Sequence, residues 1–131
     1  MMTAPATAAP RLRQSIVYWA ITAIVVSECV IGGMTDLFRL PPFYPALIAL
    51  GYPSYLATIL GVAKVLAATV LLMPGLPRLK EWAYAGIVIN MVGAAASYLA
   101  AHQSAANLIA PAAFAGLALG SWALRPPARR L

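Results

Sequence analysis

The sequence predicts an all-α protein, a four-transmembrane-helix bundle with both termini cytoplasmic. Three observations predict it. Of the 131 residues, 63% are hydrophobic and 9% are charged, where soluble domains carry about 25% charged residues. Four apolar runs of roughly 18–20 residues each are separated by short polar or Pro-rich links, and that length matches a hydrocarbon core about 30 Å thick. The basic residues sit between those runs rather than within them, with one exception at Lys64.

The elements follow in order. Residues 1–14 read as a disordered cytoplasmic tail that begins "MMTAPATAAP", small, Pro-containing and uncharged. The membrane domain covers 15–125, and 126–131 form a basic cytoplasmic tail. The first span runs from about Ser15 to Met34. It is too long for the apolar region of a signal peptide, Glu28 interrupts it, and no A-x-A site follows. Glu28 directly before Cys29 also spoils a lipoprotein-type cleavage site. Residues 35–55 carry prolines that break a spanning helix. Their aromatics, such as Phe38, Phe43, Tyr44 and Tyr52, suit the headgroup level. A short interfacial helix near 44–50 fits there. The second span runs from about Tyr55 to Met73, and "MPGLPRLKE" reads as a tight loop. The third runs from about Trp82 to Leu99, and the fourth from about Asn107 to Leu124.

Orientation follows from the basic residues. Arg11 and Arg13 precede the first span, Arg78 and Lys80 lie between the second and third, and Arg125, Arg129 and Arg130 follow the fourth. With four spans these regions share one side. The opposite side holds only Arg39, offset by Asp36. The positive-inside rule then places both termini of this multi-pass protein in the cytoplasm. The net charge of +6 is thus a matter of topology. No nucleic-acid module accompanies it.

Glu28, Lys64 and Asn90 are the strongly polar residues inside the spans. At about 1.5 Å per residue they fall roughly 9, 13 and 13 Å from one membrane face, so the three meet in one layer. Intramembrane charges usually pair with one another. Lys64 most simply pairs with Glu28, either as a structural ion pair or as part of a polar pocket. Around Lys64 lie Gly61, Ala67 and Ala68, which leave room for a carboxylate. The third span carries a small-residue stripe of Ala83, Gly86, Asn90, Gly93 or Ala94 and Ser97, a spacing that lets helices approach. Gly116-x-x-x-Gly120 is a weak packing motif on the fourth span, which leaves a homo-oligomer open.

As a catalytic pair, Glu28 and Lys64 suit acid–base work on a small hydrophobic substrate, such as isomerisation or ring-opening. Asn90 would hydrogen-bond a carbonyl or hydroxyl of it. Ser97, His102 and Asp36 are further candidates for substrate contacts. His102 is the sole histidine and lies in a short outer link, so its ordinary reading is a solvated residue. Asp36 and Arg39 either pair locally or rim a pocket mouth. Cys29, the single cysteine, reads as a small buried apolar residue. It excludes an intramolecular disulfide and a C-x-x-C redox pair. Trp19, Trp82, Tyr84 and Trp122 read as interface anchors. There is no Walker A loop, no dinucleotide fingerprint and no cluster of metal-ligating types.

Residues 50–100 resemble the DoxX-like family of small four-helix bacterial membrane proteins. The resemblance is carried by Leu50-Gly51-Tyr52-Pro53, by Gly61-Val62-Ala63-Lys64, by Pro74-Gly75 with Arg78, by Lys80-Glu81-Trp82-Ala83-Tyr84-Ala85-Gly86, and by Gly93-Ala94. It implies a four-helix bundle in the bacterial cytoplasmic (inner) membrane. In such relatives the position of Lys64 is commonly Lys or Glu and that of Asn90 often acidic, so Asn90 departs from the pattern. The wider family takes its name from a subunit associated with a thiosulfate:quinone oxidoreductase, and its members are often linked to redox or sulfur stress. With one cysteine and one histidine the chain carries no redox centre of its own. A redox role then needs a bound quinone or a partner membrane subunit. Three functions follow as expectations. The first is a redox-associated subunit that binds a lipophilic molecule or quinone in a polar pocket of Glu28, Lys64 and Asn90. The second is a self-contained acid–base enzyme. The third is a small transporter or proton pathway, which would require a continuous polar track.

Overall fold

The computed structural model describes residues 5–41 and 43–130. Five α-helices make up nearly all of it: α1 (Pro5–Leu37), α2 (Phe43–Ala49), α3 (Tyr55–Leu72), α4 (Pro77–Ala100) and α5 (Ala106–Ala123). A single 3-10 turn, Pro127–Arg129, follows. The described residues contain no strand. Four of the helices are long and apolar enough to cross a membrane, and α2 is the short helix expected between the first two.

The helix ends have local causes. Among the described residues, three non-glycine residues adopt left-handed backbone, Arg39 after α1, Leu76 before α4 and His102 after α4. Such a residue cannot continue a right-handed helix, so Arg39 and His102 close off α1 and α4, and Leu76 marks where α4 begins. Gly75 shares that region, and Pro77 opens α4, where its missing N–H costs nothing. The loop between α3 and α4 is therefore only Met73 to Leu76. Arg78, Lys80 and Glu81 belong to α4 rather than to the loop the sequence suggests.

Two further boundaries differ from the sequence reading. α1 begins at Pro5, so residues 5–14 continue the helix where a disordered tail is expected; residues 1–4 lie outside the described residues. α1 also runs past Met34 to Leu37, which puts Asp36 on the helix and not in the following loop. The tail after α5 is tied down. Arg129 Nη1 donates to the Leu71 carbonyl at 2.8 Å, and its guanidinium lies 4.6 Å from the Trp19 ring centre.

The spanning helices pack in a ring, α1 against α3, α3 against α4, α4 against α5, and α5 back against α1, with α2 lying against α1. The α1–α3 crossing is close because glycines face each other. A Cβ on Gly61 would stand 2.8 Å from the Gly33 carbonyl oxygen, and one on Gly33 would stand 3.1 Å from that of Gly61. The core lies toward the end of the bundle that carries both chain ends, around Val25, Cys29, Leu71, Tyr84, Ile87 and Ala118. Tyr84 is buried there and is not an interface anchor. Thr22 and Ser121 hydroxyls meet at 2.6 Å in the same region, and Tyr84 reaches Ser121 at 2.7 Å.

A cavity around Lys64, Glu28 and Asp36

Lys64 projects from α3 between two carboxylates of α1. Its Nζ lies 3.1 Å from Asp36 Oδ2 and 3.8 Å from Glu28 Oε1. Asp36 is the nearer partner and the more buried. Its pairing with Arg39, considered on sequence grounds, does not form; Arg39 instead lies over the Tyr44 ring at 5.6 Å. Glu28, Gly32 and Asp36 follow one another at four-residue spacing, so α1 presents them on one broad face. Gly32 leaves the space the ammonium occupies. A Cβ there would stand 2.9 Å from Glu28 Oε1 and 3.1 Å from Lys64 Nζ. The Phe43 ring of α2 lies over the ammonium, its centre 5.5 Å away.

This cluster forms one wall of a cavity of about 480 Å³ among α2, α3, α4 and α5. Asn90, Gly93, Ser97 and Tyr98 of α4 line it, with Asn107, Pro111 and Phe114 of α5 and Phe43, Leu47 and Tyr52 from the α2 region. The volume is in the range of small-molecule sites, and a mostly apolar wall with a few convergent polar groups is their usual composition. Tyr52 and Ser97 hydroxyls hydrogen-bond to each other across it. Ser97 also donates back to the Gly93 carbonyl at 2.8 Å.

Of the residues singled out in the sequence, Glu28, Lys64, Asn90, Ser97 and Asp36 all reach this cavity. His102 does not. It is exposed in the turn after α4, where its left-handed backbone ends the helix. The small-residue stripe of α4 also behaves differently from its expected helix-packing role. A Cβ on Gly86 or Gly93 would meet nothing within 4 Å, so the stripe opens space. The packed face of α4 is Lys80, Tyr84, Ile87 and Met91. Gly116 likewise has nothing within 4 Å, so the Gly116-x-x-x-Gly120 motif is not a tight contact inside the chain. The close pairing of Asp36 was legible only as the four-residue register with Glu28. The aromatics Phe43 and Tyr52 read as headgroup residues, and nothing in their spacing marks them as cavity walls.

Residues 20–121 match the DoxX-like family, and the chain belongs to it. It is an integral membrane protein of that family, with four helices able to cross the bilayer. No curated protein and no solved structure matches it.

Proposed function

We propose that this chain binds a lipophilic small molecule, with a quinone or quinol as the leading class, in the cavity beside Lys64, and that it serves as a redox-associated membrane subunit. The observation that carries the reading is the convergence of Glu28, Asp36, Lys64 and Asn90 on one mostly apolar cavity at membrane depth. Ionisable groups are costly in hydrocarbon and mark functional sites there. A purely structural pair would need no cavity, yet the α4 side of this one is kept open by Gly93. Electrons would come from a partner subunit. The distribution of Arg and Lys supports both termini on the cytoplasmic side, and the family resemblance supports a bacterial cytoplasmic membrane.

One observation favours a second reading. Two carboxylates facing one ammonium at the edge of a cavity is an arrangement suited to proton transfer, so a self-contained acid–base enzyme on a hydrophobic substrate is the runner-up. A proton pathway is less well supported. Below the cluster, Val25, Cys29, Ile87 and Met91 fill the interior with apolar side chains before the Thr22–Ser121–Tyr84 hydroxyls begin.

The test is mass spectrometry of lipophilic molecules retained by the purified protein, compared with Lys64→Met and Asp36→Asn. A molecule retained by the wild type and lost from both folded variants supports the reading. Identical extracts from all three would refute it.

A further inference from the structure

We infer that the occupant is an amphiphile with a hydroxyl-bearing head, a phenol, quinol or alcohol, whose head meets Asp36 and Glu28 and whose hydrocarbon chain leaves between α3 and α4; the inference rests on the cavity being a binding site.

The head follows from a count of donors and acceptors. An ammonium brings three N–H donors, whereas an ionised carboxylate only accepts, at roughly four positions. Two carboxylates share one ammonium here, and Lys64 is the sole cation on the cavity wall among the described residues. Asp36 Oδ2 is buried, and although Lys64 Nζ is 3.1 Å away, no donor is aligned to it. The Asp36 and Glu28 end of the wall is therefore rich in acceptors, while Asn90 and the Tyr52 and Tyr98 hydroxyls bring donors elsewhere on it. A head that supplies O–H satisfies that end, and a head with acceptors alone leaves buried oxygens unmet, a costly outcome.

The chain path follows from a second cavity of about 530 Å³ between α3 and α4. It shares Glu28, Lys64 and Asn90 with the first, so the two adjoin at these side chains. Its floor is small, with Ala67 on α3 and Gly86 on α4. Along α4 it runs from Asn90 to Leu79, roughly 16 Å at the helical rise. Trp82 at its rim is 78% exposed, so the crevice faces the hydrocarbon of the bilayer. A polar head beside Lys64 and an apolar tail in this crevice use both spaces with matching chemistry.

The experiment measures binding of three probes to detergent-purified protein: para-decylphenol, its methyl ether para-decylanisole, and phenol. In the wild type, para-decylphenol should bind at least tenfold tighter than either of the others. Asp36→Asn should reduce the phenol-over-anisole ratio toward one. Gly86→Leu and Ala67→Leu, which fill the crevice, should each reduce the decylphenol-over-phenol ratio by tenfold or more. Thermal unfolding checks that each variant is folded, and the two crevice variants guard against the loss of either. Equal binding of the phenol and its ether overturns the hydroxyl head. An unchanged chain preference in both crevice variants overturns the path. If none of the probes binds but the wild type retains some other lipophile, this inference fails and the proposed function stands. If nothing is retained at all, the proposed function fails with it.

Discussion

Lys64 Nζ lies closer to Asp36 Oδ2, at 3.1 Å, than to Glu28 Oε1, at 3.8 Å. The nearer carboxylate comes from the last turn of α1, and the farther one from two turns below it. Lys64 therefore ties α3 to α1 at two heights, and the three groups form one unit.

Removal of the ammonium should be the most damaging change in that unit. Lys64→Met leaves two uncompensated carboxylates, and breaking a buried pair costs about 3–5 kcal/mol. Adding Glu28→Gln should recover only part of this, because Asp36 is still charged. The triple variant with Asp36→Asn should recover most of it. Thermal midpoints of the single, double and triple variants in one detergent decide this. Full recovery in the double variant would show that Asp36 is not a partner.

The α1–α3 crossing should tolerate no added atom. In Gly61→Ala the new Cβ would meet Leu37 Cγ at 2.7 Å and the Gly33 carbonyl oxygen at 2.8 Å. Overpacking of this kind costs about 1–3 kcal/mol. Gly116→Ala has open space around it and should leave the midpoint unchanged or raise it, since alanine is the better helix former by up to about 1 kcal/mol. A large loss of stability at Gly116 would instead place that surface against another chain.

Lys80 should act as a staple for the end of α3. Its side chain is fully buried and donates to the Met73 and Gly75 carbonyls. Lys80→Met keeps the apolar stem and removes the donors, and should cost about 1–3 kcal/mol. Hydrogen exchange of the last turn of α3 should accelerate in the same variant. Unaltered exchange there would argue against the staple.

The buried hydroxyls should divide sharply. Ser121 holds contacts to both Thr22 and Tyr84, so Ser121→Ala strands two hydroxyls at about 1–3 kcal/mol. The Tyr18 hydroxyl is buried without a partner, so Tyr18→Phe should be neutral or stabilising. Denaturation of the two variants side by side provides the comparison, and a stability loss at Tyr18 equal to that at Ser121 would contradict it.

Much of this protein was written in one dimension. The lengths of the apolar runs determined the four spans, because a bilayer core selects for segment length and hydrophobicity before any tertiary contact forms. Prolines placed the breaks between the first three spans, and the short α2 followed from the same signals. The placement of Glu28, Lys64 and Asn90 in one layer followed from the rise of a helix. What the sequence could not decide was rotation and continuation. One further turn of α1 beyond Met34 carried Asp36 from the loop onto the face of Glu28 and gave Lys64 a second, nearer partner. The face that α4 turns inward depends on its neighbours, and with Ile87 and Met91 taking the core, its small residues were left to line cavities. Hydropathy is nearly blind to both, since every face of a membrane helix is apolar. Only packing of the whole bundle distinguishes a stripe that fills from a stripe that makes room.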